Sequence, residues 1–442
     1  MTIREIGGLL RSRKLSCVEL IQQTLSDIKT RDKFNSFINM TPEAALTEAV
    51  DRDDELARGM DRGVFHGIPI ALKDLFYTQG VRTTAGSSIY RDFVPSYDAT
   101  VVTKLREAGA ICVGKTNLHE LAFGITSKNP HYGPVLNPLD TTRIPGGSSG
   151  GSAALVGAGL VPMCLGTDTG GSIRIPASYC GIVGLKPTYG LVSRHGVLPL
   201  AFSLDHVGPL ASCVEDCALT MDVIADSGAP FSGDQMADLA GVRAGIPETF
   251  FFDRVDEEVR TAVNAAIQRM EELGSVIVRV QIPNLEEATA AARVIQLAEV
   301  AALYVHQTDS SLFGEDVWAL IQQGKMIAGH EYVNAQRIRT LFRREFDVLW
   351  KNVDVLVGPT TPITAPRLDQ KTIPIDGQVE DTRMATTRLV RWVNFLGEPA
   401  LSMPCGKASN DMPIGLQLIG APFAERRLMQ IAGKLELALG SV

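Results

Sequence analysis

The sequence is poor in the features that mark disulfide-rich and membrane proteins. Its 442 residues contain seven cysteines, an odd number, and Cys112 and Cys164 are embedded in apolar segments. Such cysteines are typical of reduced, buried thiols and not of a disulfide framework. Aromatic residues amount to 6%, and no window approaches the roughly 18 consecutive apolar residues that a membrane helix needs. We therefore predict an ordinary soluble protein without membrane contact.

Basic charge is also scarce. The formal net charge is -8, and phosphate binding needs a basic surface, so we predict no nucleic acid as the main partner, although a transient contact with tRNA remains compatible. The first residues place Glu5 among basic residues and lack the apolar stretch of a secretory signal. These absences predict a cytoplasmic protein.

Metal-binding patterns are incomplete. His119 and His330 are each followed by glutamate, but neither has the second histidine four residues further on that a zinc-binding helix requires. The spacing of Cys213 and Cys217 matches no redox or zinc pattern. We therefore predict neither a metal nor a cofactor.

Helical and strand patterns alternate along the chain, which indicates an α/β protein with a mixed or parallel sheet. A capping box begins at Ser16, and residues 68–72 form a short apolar run typical of a buried strand. No internal repeat or long linker occurs, so we predict one domain over residues 1–442, with a polar surface loop at 369–381. In the second half we predict helices near 257–273, 287–304 and 332–349, and strands near 276–280, 353–357 and 414–419.

Three features carry the chemistry, and the first is Lys73 at the end of the run 68–72. A lysine at a strand end is usually solvated. A buried lysine, however, loses its charge readily and can then serve as a neutral base near pH 7.

The second feature is the serine-glycine loop Pro145-Gly-Gly-Ser-Ser-Gly-Gly-Ser152. It lacks the lysine of a phosphate-binding loop. Gly-Ser-Ser149-Gly-Gly does satisfy the Gly-x-Ser-x-Gly elbow, which would make Ser149 a nucleophile with His195 or His206 as base, but the preceding residues 141–145 are a poor core strand. This alternative stays open beside a simple flexible loop.

The third feature is Gly166-Thr-Asp-Thr-Gly-Gly-Ser-Ile-Arg-Ile-Pro176, which follows an apolar run. Consecutive backbone amides in such a turn can converge as donors, so the segment is a candidate oxyanion hole. The donors would be the amides of Thr169, Gly170, Gly171 and Ser172.

Together, these features resemble the amidase signature family. The resemblance runs over most of the chain and also includes Phe65-His-Gly-Ile-Pro-Ile-Ala-Leu-Lys-Asp-Leu75, Gly114-Lys-Thr-Asn117, Cys180-Gly-Ile-Val-Gly-Leu-Lys-Pro-Thr-Tyr189 and Pro413-Ile-Gly-Leu-Gln-Leu-Ile-Gly420. It implies a mixed, twisted β-sheet covered by helices on both sides, with a signature core at about residues 65–210.

The resemblance also implies residue roles. Ser172 would be the nucleophile that forms an acyl-enzyme, Ser148 a bridging serine on a cis peptide after Gly147, and Lys73 the general base. A weak serine nucleophile needs such a base, and a buried neutral lysine can take its proton through an intervening hydroxyl. Asp168, Arg174 and Lys186 are then expected to hold the loops by hydrogen bonds and ion pairs.

Two kinds of amidase fit this resemblance. A stand-alone hydrolase is favoured over the A subunit of a tRNA-dependent amidotransferase, because the chain is shorter than such subunits and has Ile175 where they usually carry glutamine. A stand-alone enzyme would act as a monomer or homodimer.

The acyl pocket is predicted to contain nothing charged. An uncharged, hydrophobic or aryl amide is therefore the expected small-molecule substrate, with carbamates and esters left open. The predicted pocket residues are Ala122, Phe123, Gly124, Ile125 and Ile173.

Overall fold

A computed structural model describes residues 1–233, 236–282 and 284–440. They form an α/β fold built on one large mixed sheet, as predicted. The α-helices are α1 (Ile3–Arg11), α2 (Cys17–Arg31), α3 (Pro42–Ala57), α4 (Thr100–Glu107), α5 (Gly150–Gly157), α6 (Arg174–Cys180), α7 (Val214–Ile224), α8 (Glu257–Glu272), α9 (Leu285–Leu303), α10 (Glu315–Lys325), α11 (Gly329–Leu349), α12 (Thr382–Leu396) and α13 (Glu425–Leu439).

The strands of the described residues follow the same chain order. They are β1 (Phe37–Met40), β2 (Pro69–Lys73), β3 (Ile111–Thr116), β4 (Lys128–Asn129), β5 (Gly133–Pro134), β6 (Met163–Asp168), β7 (Val183–Lys186), β8 (His206–Ala211), β9 (Arg243–Pro247), β10 (Val276–Val280), β11 (Val355–Pro359), β12 (Thr372–Ile375), β13 (Gln378–Asp381), β14 (Ala400–Lys407) and β15 (Pro413–Ile419). The helices and strands predicted for the second half are confirmed within a few residues.

The large sheet has eleven strands in the order β1-β3-β2-β6-β8-β7-β14-β15-β11-β9-β10. Strands β3, β2 and β6 are parallel, whereas β8, β7, β14 and β15 are antiparallel to their neighbours. Every residue of β2, β3, β6 and β8 is buried. Strands buried at every position have both faces covered, so helices pack on both sides of the sheet.

The parallel pairing of β2 with β6 positions the site. Leu72 lies opposite Leu165, so both strands end at the same edge of the sheet. Lys73 at the end of β2 therefore lies beside Thr167 near the end of β6. Two segments that are far apart in sequence meet at this edge.

The polar loop predicted at 369–381 is wrong. Strands β12 and β13 pair as an antiparallel hairpin, and Ile373 and Ile375 are buried in a small cluster with Ala385. Asp376 and Gly377 both have positive φ values, as the turn of a two-residue hairpin requires. The alternation of isoleucine with other residues was the sequence signal for this hairpin.

The cysteines fit the prediction of reduced thiols. All seven are free, and six of them are buried. Within the described parts of the chain, no helix has the length and apolar character needed to cross a bilayer.

Candidate active site

Lys73 is completely buried at the end of β2. Its Nζ atom donates to Ser148 Oγ at 2.7 Å and to Thr167 Oγ1 at 2.8 Å. Burial lowers the pKa of Lys73 to about 7, and the negative charges of Asp168 and Asp205 oppose this change. The amine can therefore be neutral near pH 7 and accept a proton.

The serine-glycine loop before α5 brings Ser148 to this amine. The Gly147–Ser148 peptide bond is cis, as the resemblance implied. Ser127 holds the loop, because its hydroxyl donates to Gly146 O at 2.9 Å and accepts from Gly150 N at 3.2 Å. A Cβ on Gly147 would lie 2.8 Å from Ser127 Oγ, so the packing here requires glycine.

The turn after β6 carries Ser172. The Asp168 carboxylate accepts from Gly171 N at 2.7 Å and from Ile173 N at 3.2 Å, which curls the chain around it. Gly171 has φ +114, and a Cβ there would lie 2.4 Å from Val390 Cγ2. Both the backbone conformation and the available space therefore require glycine.

Backbone contact joins the two serine loops, because Ser149 N donates to Ser172 O at 3.3 Å. Ser172 is 7% exposed, and its hydroxyl has no hydrogen bond to a described residue, Ser148 included. The structure thus joins Lys73 to Ser148 and brings Ser172 to the adjoining loop. The hydroxyls of Ser148 and Ser172 are not hydrogen-bonded to each other.

The four backbone amides predicted to bind the oxyanion differ in whether they already have a hydrogen-bond acceptor. The amide of Gly171 is occupied by Asp168. The amides of Thr169, Gly170 and Ser172 donate to no acceptor among the described residues. Three of the four amides are therefore free to bind an oxygen, and Gly171 contributes its unusual conformation instead.

A buried polar network supports this turn from below. The Arg174 guanidinium donates two hydrogen bonds to Asp168, at 3.0 and 3.1 Å, and Asn394 Nδ2 donates to Asp168 Oδ1 at 2.8 Å. Burial raises the pKa of Asp168, but the charge of Arg174 outweighs this effect and holds the pKa below its usual range. Lys186 donates to backbone carbonyls of Pro187 and Glu398. These contacts match the expected loop-holding roles.

The Gly-x-Ser-x-Gly alternative lacks a base. Ser149 is buried, and its hydroxyl donates to Thr167 O at 3.2 Å. His206 Nδ1 contacts the carbonyl oxygens of Leu204 and Asp168, whereas His195 is exposed and stacks on Tyr97. Neither histidine is hydrogen-bonded to Ser149.

The predicted pocket residues lie in four different places. Ala122 lines a cavity of about 230 Å³ together with Thr167 and Thr169, and Gly124 and Ile125 line a second cavity of about 260 Å³. Phe123 is buried below the guanidinium of Arg383, 5.4 Å from its ring centroid. Ile173, in contrast, packs in the main core, beside Gly184 and Gly208.

The sequence reasoning missed two residues, Thr167 and Arg391. Thr167 bonds to Lys73 and could have been found, because it lies in the glycine-rich segment at the end of a buried strand. Arg391 on α12 lies beside Gly170, with its Nε and Cγ atoms 3.6 and 3.8 Å from the position of an added Cβ. Arg391 therefore places a charged group beside the predicted oxyanion turn, whereas the sequence predicted nothing charged in the acyl pocket. No local pattern links α12 to this turn.

The pair His119-Glu120 has ordinary partners. His119 Nε2 lies 3.0 Å from Asp316 Oδ2, and Glu120 accepts from Ser87 Oγ and Gly314 N. These contacts hold the segments around the site together.

The sequence matches the Amidase family over residues 19–429. A curated relative, the A subunit of glutamyl-tRNA(Gln) amidotransferase from Chromohalobacter salexigens, is 41% identical over 476 residues, which cover 99% of this chain and 96% of the relative. Seven further curated relatives, 37–41% identical, are the same subunit of other organisms.

Solved structures are similar over nearly their whole length. A structure described as an amidase has a TM-score of 0.94 at 35% identity and covers 100% of both chains. One described as a vestigial protein complex that reveals the evolutionary origins of an s-triazine catabolic enzyme has a TM-score of 0.93 at 36% identity, covering 100% of this chain and 99% of that one. The A subunit of the Thermotoga maritima glutamyl-tRNA(Gln) amidotransferase has a TM-score of 0.82 at 34% identity, with 99% and 94% covered.

Proposed function

This chain belongs to the Amidase family of enzymes that act on carbon–nitrogen bonds, and on that basis we propose that it hydrolyses a small amide through an acyl-enzyme on Ser172. The observation that carries the proposal is the buried hydrogen bond of 2.7 Å between Lys73 Nζ and Ser148 Oγ. A buried amine with a pKa of about 7 is suited to general-base work at neutral pH. Lys73, Ser148 and Ser172 all lie in residues 65–210, which we propose as the signature core.

The proposed reaction starts with neutral Lys73. Lys73 takes the Ser148 proton while Ser148 takes that of Ser172, and Ser172 Oγ attacks the amide carbonyl. The negative oxygen then receives hydrogen bonds from the amides of Thr169, Gly170 and Ser172. The C–N bond breaks as the relay returns its proton to the departing amine or ammonia. Water next attacks the acyl-enzyme by the same relay and releases the acid.

The relay needs a hydrogen bond between the Ser148 and Ser172 hydroxyls. Serine hydroxyls reorient by rotation about a single bond, and hydrogen bonds of this kind often tighten only when substrate binds. We therefore place the closure of this contact in the substrate complex.

A second candidate is the A subunit of a tRNA-dependent amidotransferase, which would hydrolyse glutamine to supply ammonia. The curated relatives support this alternative better than the stand-alone hydrolase that we favoured from the sequence. Two observations support the stand-alone enzyme: the complete mutual coverage with a solved amidase, and the burial of Ile175 in an apolar cluster with Ile125 and Val390. Both candidates share the same bond cleavage at Ser172.

The purified chain alone distinguishes the candidates. It should release ammonia or amine from a panel of primary amides, anilides and urethanes without ATP, tRNA or a partner. Ser172→Ala, which removes only the nucleophile, is the matched control and should be inactive. Activity that arises only with glutamine and a partner protein would establish the second candidate. Activity that survives in Ser172→Ala would overturn the proposed mechanism.

A further inference from the structure

Arg391 is a buried charge without a partner. It is 5% exposed, and its enclosed Nε has no hydrogen bond to any residue within 1–233, 236–282 and 284–440. No carboxylate of these residues lies within ion-pair distance of its guanidinium. Arg388 on the same helix also has an enclosed Nε without a partner, but its Nη1 and Nη2 atoms donate to the carbonyl oxygens of Phe250 and Arg254 at 2.9 and 2.7 Å. The Nη atoms of Arg391 have no such acceptor among the described residues. Arginines are rarely buried unless they are paired, since an uncompensated buried charge is destabilising.

The unpaired charge lies at the proposed oxyanion site. Arg391 Nε and Cγ are 3.6 and 3.8 Å from the position that a Gly170 Cβ would occupy. The preceding helix residue, Val390, packs against Gly171. Helix α12 thus places the guanidinium beside the turn whose amides would bind the substrate carbonyl.

Neighbouring arginines increase the need for an anion. Burial, and then the charges of Arg383 and Arg293, lower the pKa of Arg391 to about 9, so it stays charged at neutral pH. Asp316 and Asp381 act on Arg383, but no such carboxylate offsets Arg391. An arginine whose charge is opposed by two further arginines and offset by no carboxylate of the described residues is better suited to an anionic ligand than to a neutral one.

We propose that Arg391 binds a carboxylate of the substrate, so that the preferred substrates are small amides with an acidic group. This inference rests on the proposed function, because it takes the Gly170 turn as the site of the scissile carbonyl. Hydrogen bonds to the turn and to a guanidinium each span about 2.9 Å. Arg391 is close enough to Gly170 that the carboxylate must lie only a few bonds from the scissile carbonyl, as in the half-amide of a short dicarboxylic acid.

A matched pair of ligands tests the charge directly. Succinamate and succinamide have nearly the same shape, but only succinamate has a carboxylate. Binding to Ser172→Ala, measured by calorimetry, reports recognition without requiring catalysis. We expect succinamate to bind about 10- to 100-fold more tightly than succinamide, in line with hydrogen bonds to charged groups. Equal binding of the two ligands, or binding of neither, would overturn the proposal.

Variants test whether Arg391 is responsible. Adding Arg391→Met to Ser172→Ala should abolish the preference for succinamate, and Arg391→Lys should retain part of it. Arg344→Met removes an exposed arginine on α11 and is the control for net charge; it should keep the full preference. A preference that persists in Arg391→Met would refute the assignment.

Thermal unfolding separates binding from a structural role. Because Arg391 has no partner in the described part of the chain, Arg391→Met should unfold at the same temperature or at one up to about 3 °C higher. A large decrease would indicate a structural arginine and contradict the proposal.

If succinamate binds but nothing is hydrolysed, the proposed function fails and the anion site stands. If neutral amides are hydrolysed at Ser172 with no charge preference, only this inference fails.

Discussion

The pH dependence of the reaction is the sharpest consequence of a buried Lys73. Its pKa falls from 10.5 to about 7, and this difference corresponds to roughly 5 kcal/mol against the charged form. The neutral amine is the active form in the proposed relay. Raising the pH through about 7 therefore switches the enzyme on.

The measurement is kcat/KM of the free enzyme between pH 5 and 10. Below its pKa the neutral fraction of Lys73 falls about tenfold per pH unit, so kcat/KM should fall equally and level off above about pH 8. Lys73→Ala should remove this dependence and lower the rate by about 100- to 10,000-fold, the usual contribution of general acid–base catalysis.

Lys186 supplies a control, since burial and the nearby Arg174 also lower its pKa to about 7. It contacts backbone carbonyls and has no hydrogen bond to Ser148 or Ser172. Lys186→Met should therefore keep the same pH dependence. The reasoning is refuted if the dependence disappears with Lys186, or if the wild-type limb lies near pH 10.

Three further predictions concern the serines and the turn beside them. Ser172→Ala should abolish labelling by a fluorophosphonate, whereas Ser148→Ala should leave slow labelling, because water can replace a relay hydroxyl. Ser149→Ala should label like the wild type. A labelled peptide that contains Ser149 but not Ser172 would contradict Ser172 as the nucleophile. Gly171→Ala should lower kcat about 100-fold or more, since its φ of +114 and a 2.4 Å contact with α12 disfavour a side chain; a loss below about threefold would show that the turn adapts. Asp168→Asn should lower the free energy of unfolding in urea by about 3–5 kcal/mol, because it leaves a buried arginine unpaired, and a change below about 1 kcal/mol would contradict the network.

Local motifs in the sequence were sufficient to predict the elements of the site. The positive φ values of Gly146 and Gly171 are a local property of these loops, so the glycine pattern can be read along the chain. The contacts that also exclude a side chain at Gly147 and Gly171 come from Ser127 and Val390, which are distant in sequence. The end of a buried strand at Lys73 is likewise a local signal. The α/β class and most second-half helices follow from periodicity in the same way.

Other features arise only from contacts between distant segments. Ile173 adjoins the predicted nucleophile, yet the strands around Gly184 and Gly208 take its side chain into the core. Arg391 reaches Gly170 only because α12 packs across the turn. No sequence pattern within α12 distinguishes Arg391 from Arg388, which donates to backbone carbonyl oxygens instead.

The sequence by itself therefore determined the family resemblance, and with it the roles predicted for Lys73, Ser148 and Ser172, because the motifs that carry the resemblance are patterns of residue type along short segments. Only the tertiary structure decided which side chains face the site and what charge surrounds it. The pKa of Lys73 shows the reason: complete burial lowers it while the charges of Asp168 and Asp205 oppose the change, and the folding of separate segments brings all of these to one amine.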